Sequence, residues 1–110
     1  MAHPRHGWDE AFQTPIRFSL MAALGRDAQI DFRTLRELLE AGDSVLSKAI
    51  THLTRAGYVK VTKDAVGNRP RTWVQPTAEG HRAYTEHLAA LRAIAGGAGS
   101  SQDRAAPPPG

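Results

Sequence analysis

Apolar positions recur along the chain with two different periods, and the change of period separates predicted helices from predicted strands. Helical spacing marks four segments, which are residues 16–24, 32–41, 43–57 and a run that begins after residue 77. Between them the period changes to two, which predicts a β-hairpin from strands at 58–63 and 71–75 with a glycine-containing loop of moderate length. Residues 29–31 predict a very short strand. The sequence therefore predicts a mainly α fold with a small β-hairpin, an α+β arrangement.

The segment from residue 43 to residue 57 predicts a helix with two unlike faces. Its apolar stripe consists of Leu46, Ala49, Ile50 and Leu53. The opposite face has hydroxyl and basic side chains and no acid, at Ser44, Ser47, Lys48, Thr51, His52 and Arg55. Asp43 is suited to cap this helix and Gly57 to end it in a left-handed conformation. Ordinary solvated helix faces usually mix charges of both signs, whereas an acid-free face suits the phosphates and base edges of a DNA major groove.

Basic residues are concentrated in one part of the chain, which has a formal net charge of +3. Residues 44–73 hold six lysines and arginines against one acid, whereas residues 26–43 hold three arginines against five acids. Arg69 and Arg71 lie near the predicted hairpin tip, and guanidinium groups suit phosphates and narrow minor grooves. Lys60 and Lys63 are weaker DNA-binding candidates, because lysine on an edge strand also prevents edge-to-edge pairing. The pattern favours a polyanionic partner.

Several classes of function lack their characteristic residues. Cysteine is absent, and His81 and His87 fall on different sides of one predicted helix, so we expect no metal site and no cofactor. The spacing of Ser, His and acidic residues typical of catalytic sites is missing, so we do not expect an enzyme. The sequence has neither an apolar run of about 18 residues nor a signal-peptide core, which predicts a cytoplasmic protein without a membrane partner.

Two of the predicted helices have apolar surface for more than one neighbour. Thr14 and Pro15 predict the start of the first helix, and Phe18 and Met21 lie on a different side of it from its main apolar stripe. The last helix has its own stripe. We expect a dimer interface from Phe18, Met21, Tyr84, Leu88, Leu91 and Ile94, although the stripe of the last helix could also pack on the first helix of the same chain.

The order helix, short strand, helix, turn, helix, basic hairpin and helix resembles small winged helix-turn-helix regulators related to the MarR and ArsR groups. The similarity covers roughly residues 14–92. Its most specific parts are Leu46-Ser47-Lys48-x-Ile50-x-x-Leu53-x-x-Ala56-Gly57-Tyr58-Val59, the hairpin segment Arg69-Pro70-Arg71-Thr72, and Thr77-x-x-Gly80. The resemblance implies a winged helix fold and a homodimeric transcription factor that binds double-stranded DNA. It implies that the third helix enters the major groove and that the hairpin, called the wing, contacts the backbone or minor groove.

Position along the chain divides the candidate residues by role. Residues in the first half of the third helix, at 44, 47, 48 and 51, would reach base edges, whereas His52 and Arg55 would meet the backbone. Trp73, beside several valines, is expected to pack the wing onto the body of the domain. Relatives often bind small-molecule effectors near the dimer layer, and Trp8, Phe12, Phe18, Tyr84 and Leu88 could line such a pocket here.

The predicted organisation is one DNA-binding domain at residues 14–95, with an N-terminal extension at 1–13 and a disordered tail at 96–110. Two alternatives to an unregulated DNA-binding protein stay open. The winged helix could bind an acidic protein partner, or a small molecule could control its DNA binding.

Overall fold

The structure is a computed structural model that describes residues 9–97. A 3-10 helix at Glu10–Phe12 comes first in this part of the chain. The elements that follow are α1 (Pro15–Leu24), β1 (Ile30–Asp31), α2 (Phe32–Leu39), α3 (Asp43–Arg55), β2 (Val59–Val66), β3 (Arg69–Pro76) and α4 (Ala78–Gly97). The predicted fold class and element order are confirmed. The predicted tail lies outside the described residues from position 98 onward, and α4 itself continues through Gly97.

The three strands form one antiparallel sheet in the order β1-β3-β2. The hairpin is longer and its turn tighter than the sequence predicts, because Val66 pairs with Arg69 and only Gly67 and Asn68 connect the strands. Gly67 has a φ of 65°, and two-residue turns of this kind require a positive φ that glycine adopts without strain. The prediction of a longer loop was therefore wrong.

The core lies where α1, α2, α3 and the base of the sheet meet. Its fully buried side chains include Leu20, Met21 and Leu24 of α1, Leu35 of α2, Leu46 and Leu53 of α3, and Val74 of β3. The side chain of Met21 is 0% exposed, so it packs inside its own protomer and has no surface to offer a second copy. The helical spacing of Leu35, Leu38 and Leu39 predicts that all three face inward, but Leu38 is 59% exposed. None of the helices within residues 9–97 is long and apolar enough to cross a membrane.

Helix α4 begins against the backbone that follows α3. Thr77 caps it, because its Oγ1 accepts a hydrogen bond from the Gly80 N–H at 2.9 Å. The same hydroxyl donates to the Gly57 carbonyl at 2.7 Å, and the Thr77 N–H donates to the Tyr58 carbonyl at 3.0 Å. A Cβ at position 80 would lie 2.0 Å from that Tyr58 oxygen, so only glycine allows this approach.

The N-terminal segment is attached to the domain through Asp9. Its carboxylate accepts hydrogen bonds from the Ala11 N–H and from the Tyr58 hydroxyl, and its own N–H donates to Nδ1 of His87 at 2.9 Å. Phe12, which is 2% exposed, lies between these partners, with its ring centroid 5.4 Å from that of Tyr58 and 5.3 Å from that of His87. Phe12 therefore packs on the body of the domain, whereas Trp8 lies outside the described residues.

Two of these groups have shifted pKa values. The hydrogen bond to the Asp9 carboxylate, together with burial, raises the pKa of Tyr58 to about 12, because ionisation would remove the donor and place two negative charges side by side. Burial lowers the pKa of His87, which is 1% exposed, and the nearby Asp9 charge offsets only part of this effect.

Replacing Gly80 with alanine should lower the free energy of unfolding by about 2 kcal/mol. Alanine is the better helix former by about 1 kcal/mol, but the clash is with main-chain atoms and requires α4 to move. Denaturant unfolding measures the difference. Gly42→Ala is the matched control, because Gly42 has a φ of −74° and open space around the added Cβ, so its loss should stay below about 1 kcal/mol. Equal losses would contradict the proposed role of Gly80.

Acidification below about pH 6.5 should destabilise the protein through His87. Because the folded state lowers the pKa of this imidazole, the unfolded chain binds the extra proton more readily, and stability falls as the pH decreases from 7 toward 5. Unfolding free energies measured across this range should show a shallower slope in His87→Gln than in the wild type. Parallel slopes would show that His87 does not contribute.

Candidate nucleic-acid interface

Burial of one side of α3 fixes which side chains face outward. Leu46 and Leu53 are 0% exposed, and Ala49 and Ile50 are also buried. The six residues that the sequence predicts for DNA contact are all exposed, namely Ser44, Ser47, Lys48, Thr51, His52 and Arg55. Five of them, all except Ser44, line one shallow depression of about 290 Å³ on this face. The predicted orientation of the helix is therefore found in the structure.

The end of α3 is fixed by main-chain hydrogen bonds. Gly57 has a φ of 82°, its N–H donates to the Thr54 carbonyl at 3.0 Å, and the Tyr58 N–H donates to the Leu53 carbonyl at 2.9 Å. This pair of bonds is the Schellman motif, in which a left-handed residue ends the helix. The prediction for Gly57 is confirmed, and the motif directs the chain straight into β2.

The start of α3 differs from the sequence prediction. Gly42 is the capping residue, and Asp43 is the first residue inside the helix without capping it. Oδ1 of Asp43 instead accepts a hydrogen bond from the Arg36 guanidinium of α2 at 2.7 Å, which raises the pKa of Arg36. Glu40 allows this contact, because its left-handed φ of 51° ends α2 at Leu39 and turns the chain tightly. The acid nearest the start of α3 is thereby neutralised.

An open groove of about 580 Å³ separates α3 from the wing. Its α3 side includes Ser47, Thr51 and Arg55, and its wing side includes Lys63 and Thr72. Lys63 and Thr72 pair with each other across the hairpin. Each lies two residues from a core-facing valine on its own strand, Val61 or Val74, and side chains two residues apart share one face of a sheet. Both side chains therefore point toward α3. Lys63 is therefore better placed beside α3 than the sequence indicates, and Thr72 is a groove residue that sequence reasoning did not single out.

The other basic residues of the wing lie on its opposite face. By strand alternation Lys60, Arg69 and Arg71 share this face with Trp73. Trp73 is half-buried, its indole N–H donates to Oδ1 of Asp64 at 3.1 Å, and the Arg71 guanidinium lies 5.8 Å from its ring centroid. The expectation that Trp73 packs the wing onto the body was wrong, because it alternates with the buried Val74. The Trp73 ring instead lies beneath the Arg71 guanidinium.

The cationic side chains of α3 and of the wing form no ion pair within the described part of the chain. Arg36 and Asp43 form the one ion pair found within residues 9–97. The basic residues of α3 and of the wing therefore present uncompensated charge to a ligand. No group of three or more potential metal ligands occurs in the described part of the chain.

Comparison with known proteins assigns this arrangement to a family. The sequence profile of the winged helix DNA-binding domain matches residues 16–95. The chain belongs to this family. Since the match includes both α3 and the wing, the prediction of a winged helix-turn-helix regulator is confirmed. Comparison with curated proteins found no significant match.

Solved structures of other winged helix regulators agree with the assignment. A transcriptional regulator homologue from Pyrococcus horikoshii is 28% identical, with a TM-score of 0.74, and the alignment covers 83% of this chain and 90% of that one. Two more distant structures show the same fold. The regulator MOSR of M. tuberculosis, solved in complex with DNA, is 18% identical with a TM-score of 0.64 over 89% of this chain and 70% of that one. PcaV of Streptomyces coelicolor, in complex with its natural ligand, is 19% identical with a TM-score of 0.65 over 92% and 72%.

These relationships establish the general class of function. The chain is a winged helix DNA-binding regulator, and its family and structural neighbours are transcriptional regulators rather than enzymes.

Proposed function

We propose that the protein binds specific double-stranded DNA sequences as a homodimer, with α3 in the major groove and the wing on the DNA backbone or minor groove. The acid-free face of α3 is the observation that supports this most strongly, because five of its polar side chains line one continuous depression. A helix of 13 residues is about 20 Å long and fits a groove about 12 Å wide.

The proposal assigns different roles to the two basic elements. Ser47, Lys48 and Thr51, together with Ser44 near the start of α3, would read base edges from the N-terminal half of the helix. His52 and Arg55 would meet phosphates, with Lys63 across the groove. Lys60, Arg69 and Arg71 would contact the backbone or minor groove from the wing, where they set affinity more than sequence preference.

In the proposed homodimer, α4 provides most of the interface. Met21 is removed from the proposed interface because its side chain lies in the protomer core, and Phe18 packs on Tyr84 with ring centroids 5.3 Å apart. Leu88 and Leu91 are half-buried and Ile94 is 41% exposed, so they offer apolar surface on one side of the helix. Pairing of two such helices would bury this surface and place two α3 helices on one duplex.

Effector control is a second candidate, favoured by a specific feature. An open apolar pocket of about 230 Å³ lies between the N-terminal segment, α1 and α4, and is lined by Phe12, Gln13, Thr14, Pro15, Phe18, His87 and Leu91. Its size suits a ligand of about one aromatic ring. The distant neighbour PcaV was solved with its natural ligand, and NadR with 4-hydroxyphenylacetate. Of the residues that sequence reasoning suggested for such a pocket, Phe12 and Phe18 line this one.

Two double variants should separate specificity from affinity. Selection of bound duplexes from a random pool provides the specific site, and fluorescence anisotropy gives its affinity relative to a random duplex. Alanine at both Ser47 and Lys48 should weaken specific binding about tenfold to a hundredfold and random binding much less. Alanine at both Arg69 and Arg71 should weaken both equally and reduce the salt slope by slightly under one for each lost contact.

Identical effects of the two double variants would contradict the assigned roles. Failure of the wild type to bind any duplex at low salt would favour the alternative of a protein-interaction module. The measurements therefore discriminate between the two functions as well as between the two elements.

Ile94→Glu should convert the dimer into a monomer without unfolding it, since a charge in an apolar helix pair is unfavourable and the side chain is already exposed in the protomer. Light scattering coupled to gel filtration measures the mass, and thermal melting checks the fold. Ala89→Glu is the matched control, because Ala89 is exposed and about 160° around α4 from Leu91. A monomeric wild type, or an unchanged mass for Ile94→Glu, would exclude this interface.

A further inference from the structure

The register of β1 brings the start of α2 to the wing. Ile30 pairs with Val74 and Asp31 with Trp73, so β1 runs antiparallel to β3, from the base of the hairpin toward its tip. The residues that follow, Phe32 and Arg33, therefore lie beside the part of β3 that precedes Trp73. No local pattern in the sequence indicates that Arg33 has neighbours 36 to 38 positions away.

Three arginines surround one recess at this junction. The recess has a volume of about 260 Å³ and is lined by Asp31, Phe32, Arg33, Arg69, Pro70, Arg71 and Thr72. Asp31 is the one acid among these residues, and its carboxylate already accepts a hydrogen bond from the Thr34 hydroxyl. Within residues 9–97, none of the three guanidinium groups forms an ion pair. Three guanidinium groups and one carboxylate leave a net charge of +2 around one small space, which favours an anion.

One of the arginines is supported by its neighbours. The Asp64 carboxylate accepts the indole N–H of Trp73 at 3.1 Å, and the Trp73 ring lies 5.8 Å from the Arg71 guanidinium. A hydrogen-bonded ring beneath a guanidinium restricts where that group can move, so less conformational freedom is lost when it binds. The recess therefore has one prearranged wall on the wing and a second wall, Arg33, on α2.

The recess is continuous with the proposed DNA surface. Phe32 and Thr72 line both the recess and the groove between α3 and the wing, so a duplex lying on α3 would extend across them. A guanidinium donates parallel hydrogen bonds that match a phosphate. We propose that this recess binds a backbone phosphodiester of the DNA and that Arg33 is a DNA contact contributed by α2. The inference rests on the proposed function and extends the contact surface beyond α3 and the wing.

The test measures binding of the full chain to its selected duplex between 50 and 300 mM salt. Arg33→Gln should weaken binding to specific and random duplexes alike, by about tenfold, and should reduce the salt slope by slightly under one for each protomer bound. Arg33→Lys retains the charge but not the planar pair of donors. It should keep most of the salt slope while losing a smaller part of the affinity.

Arg26→Gln is the matched control. It removes the same charge, but Arg26 is not among the residues that line the recess. Its affinity should stay within about twofold of the wild type. Thermal melting of the three variants should match the wild type, because Arg26 and Arg33 are both exposed.

Duplexes with one neutral methylphosphonate linkage in each half-site, at matched positions, locate the contact. At one position the neutral linkage should weaken DNA binding by the wild type by the same factor as the Arg33→Gln substitution does. At that position it should not weaken DNA binding by Arg33→Gln any further. This double-mutant comparison stays decisive even if Arg33→Gln lowers stability, because each protein is compared with itself on two duplexes.

The outcomes separate this inference from the proposed function. If the wild type binds duplex and the Ser47 and Lys48 double variant loses specificity, but Arg33→Gln behaves as Arg26→Gln or no linkage shows the coupling, only the recess is excluded. If the wild type binds no duplex at 50 mM salt, both proposals fail together.

Discussion

The main-chain junction at Gly57 and Tyr58 is the constraint on which the rest of the domain depends. The Schellman motif ends α3 there, and both carbonyls accept hydrogen bonds from Thr77 at the start of α4. The side chain of Tyr58 continues the junction, because its hydroxyl donates to Asp9 and its ring stacks on Phe12. Two helices, the base of the hairpin and the N-terminal segment therefore meet at two residues. Close approach is possible there because Gly80 has no side chain.

Those parts of the fold that depend on local chemistry could be predicted from the sequence. Thr14 caps α1, Gly57 ends α3, and the 3.6-residue period of α3 assigns its inner and outer faces, because each of these signals arises within a few neighbouring residues. For the same reason the exposed DNA-binding candidates of α3 are found on one face. The period of the apolar residues gives the direction in which the buried face lies around the helix axis. Helix α3 is long enough for that direction to be unambiguous.

The mistaken predictions involve contacts that no local pattern encodes. Leu38 lies about 80° from the direction midway between Leu35 and Leu39, at the edge of an eight-residue helix, so the core does not reach it. Trp73 is a large aromatic residue of the kind often found in cores, but side chains alternate along β3, so it lies on the other face of the sheet from the buried Val74. Gly80 has a low helix propensity, and the contact that requires it is with the backbone of Tyr58, 22 positions away.

The same junction governs how a dimer of this protein would meet DNA. Helix α4 is joined to the end of α3 through main-chain hydrogen bonds and a glycine contact, and there is no flexible linker between them. In the proposed homodimer, the packing of two α4 helices would therefore set the separation of two α3 helices directly. Successive major grooves on one side of B-DNA are about 34 Å apart, so that separation has little tolerance. A rigid attachment between the pairing helix and the reading helix satisfies this requirement, whereas a flexible one would cost conformational entropy each time both half-sites were bound.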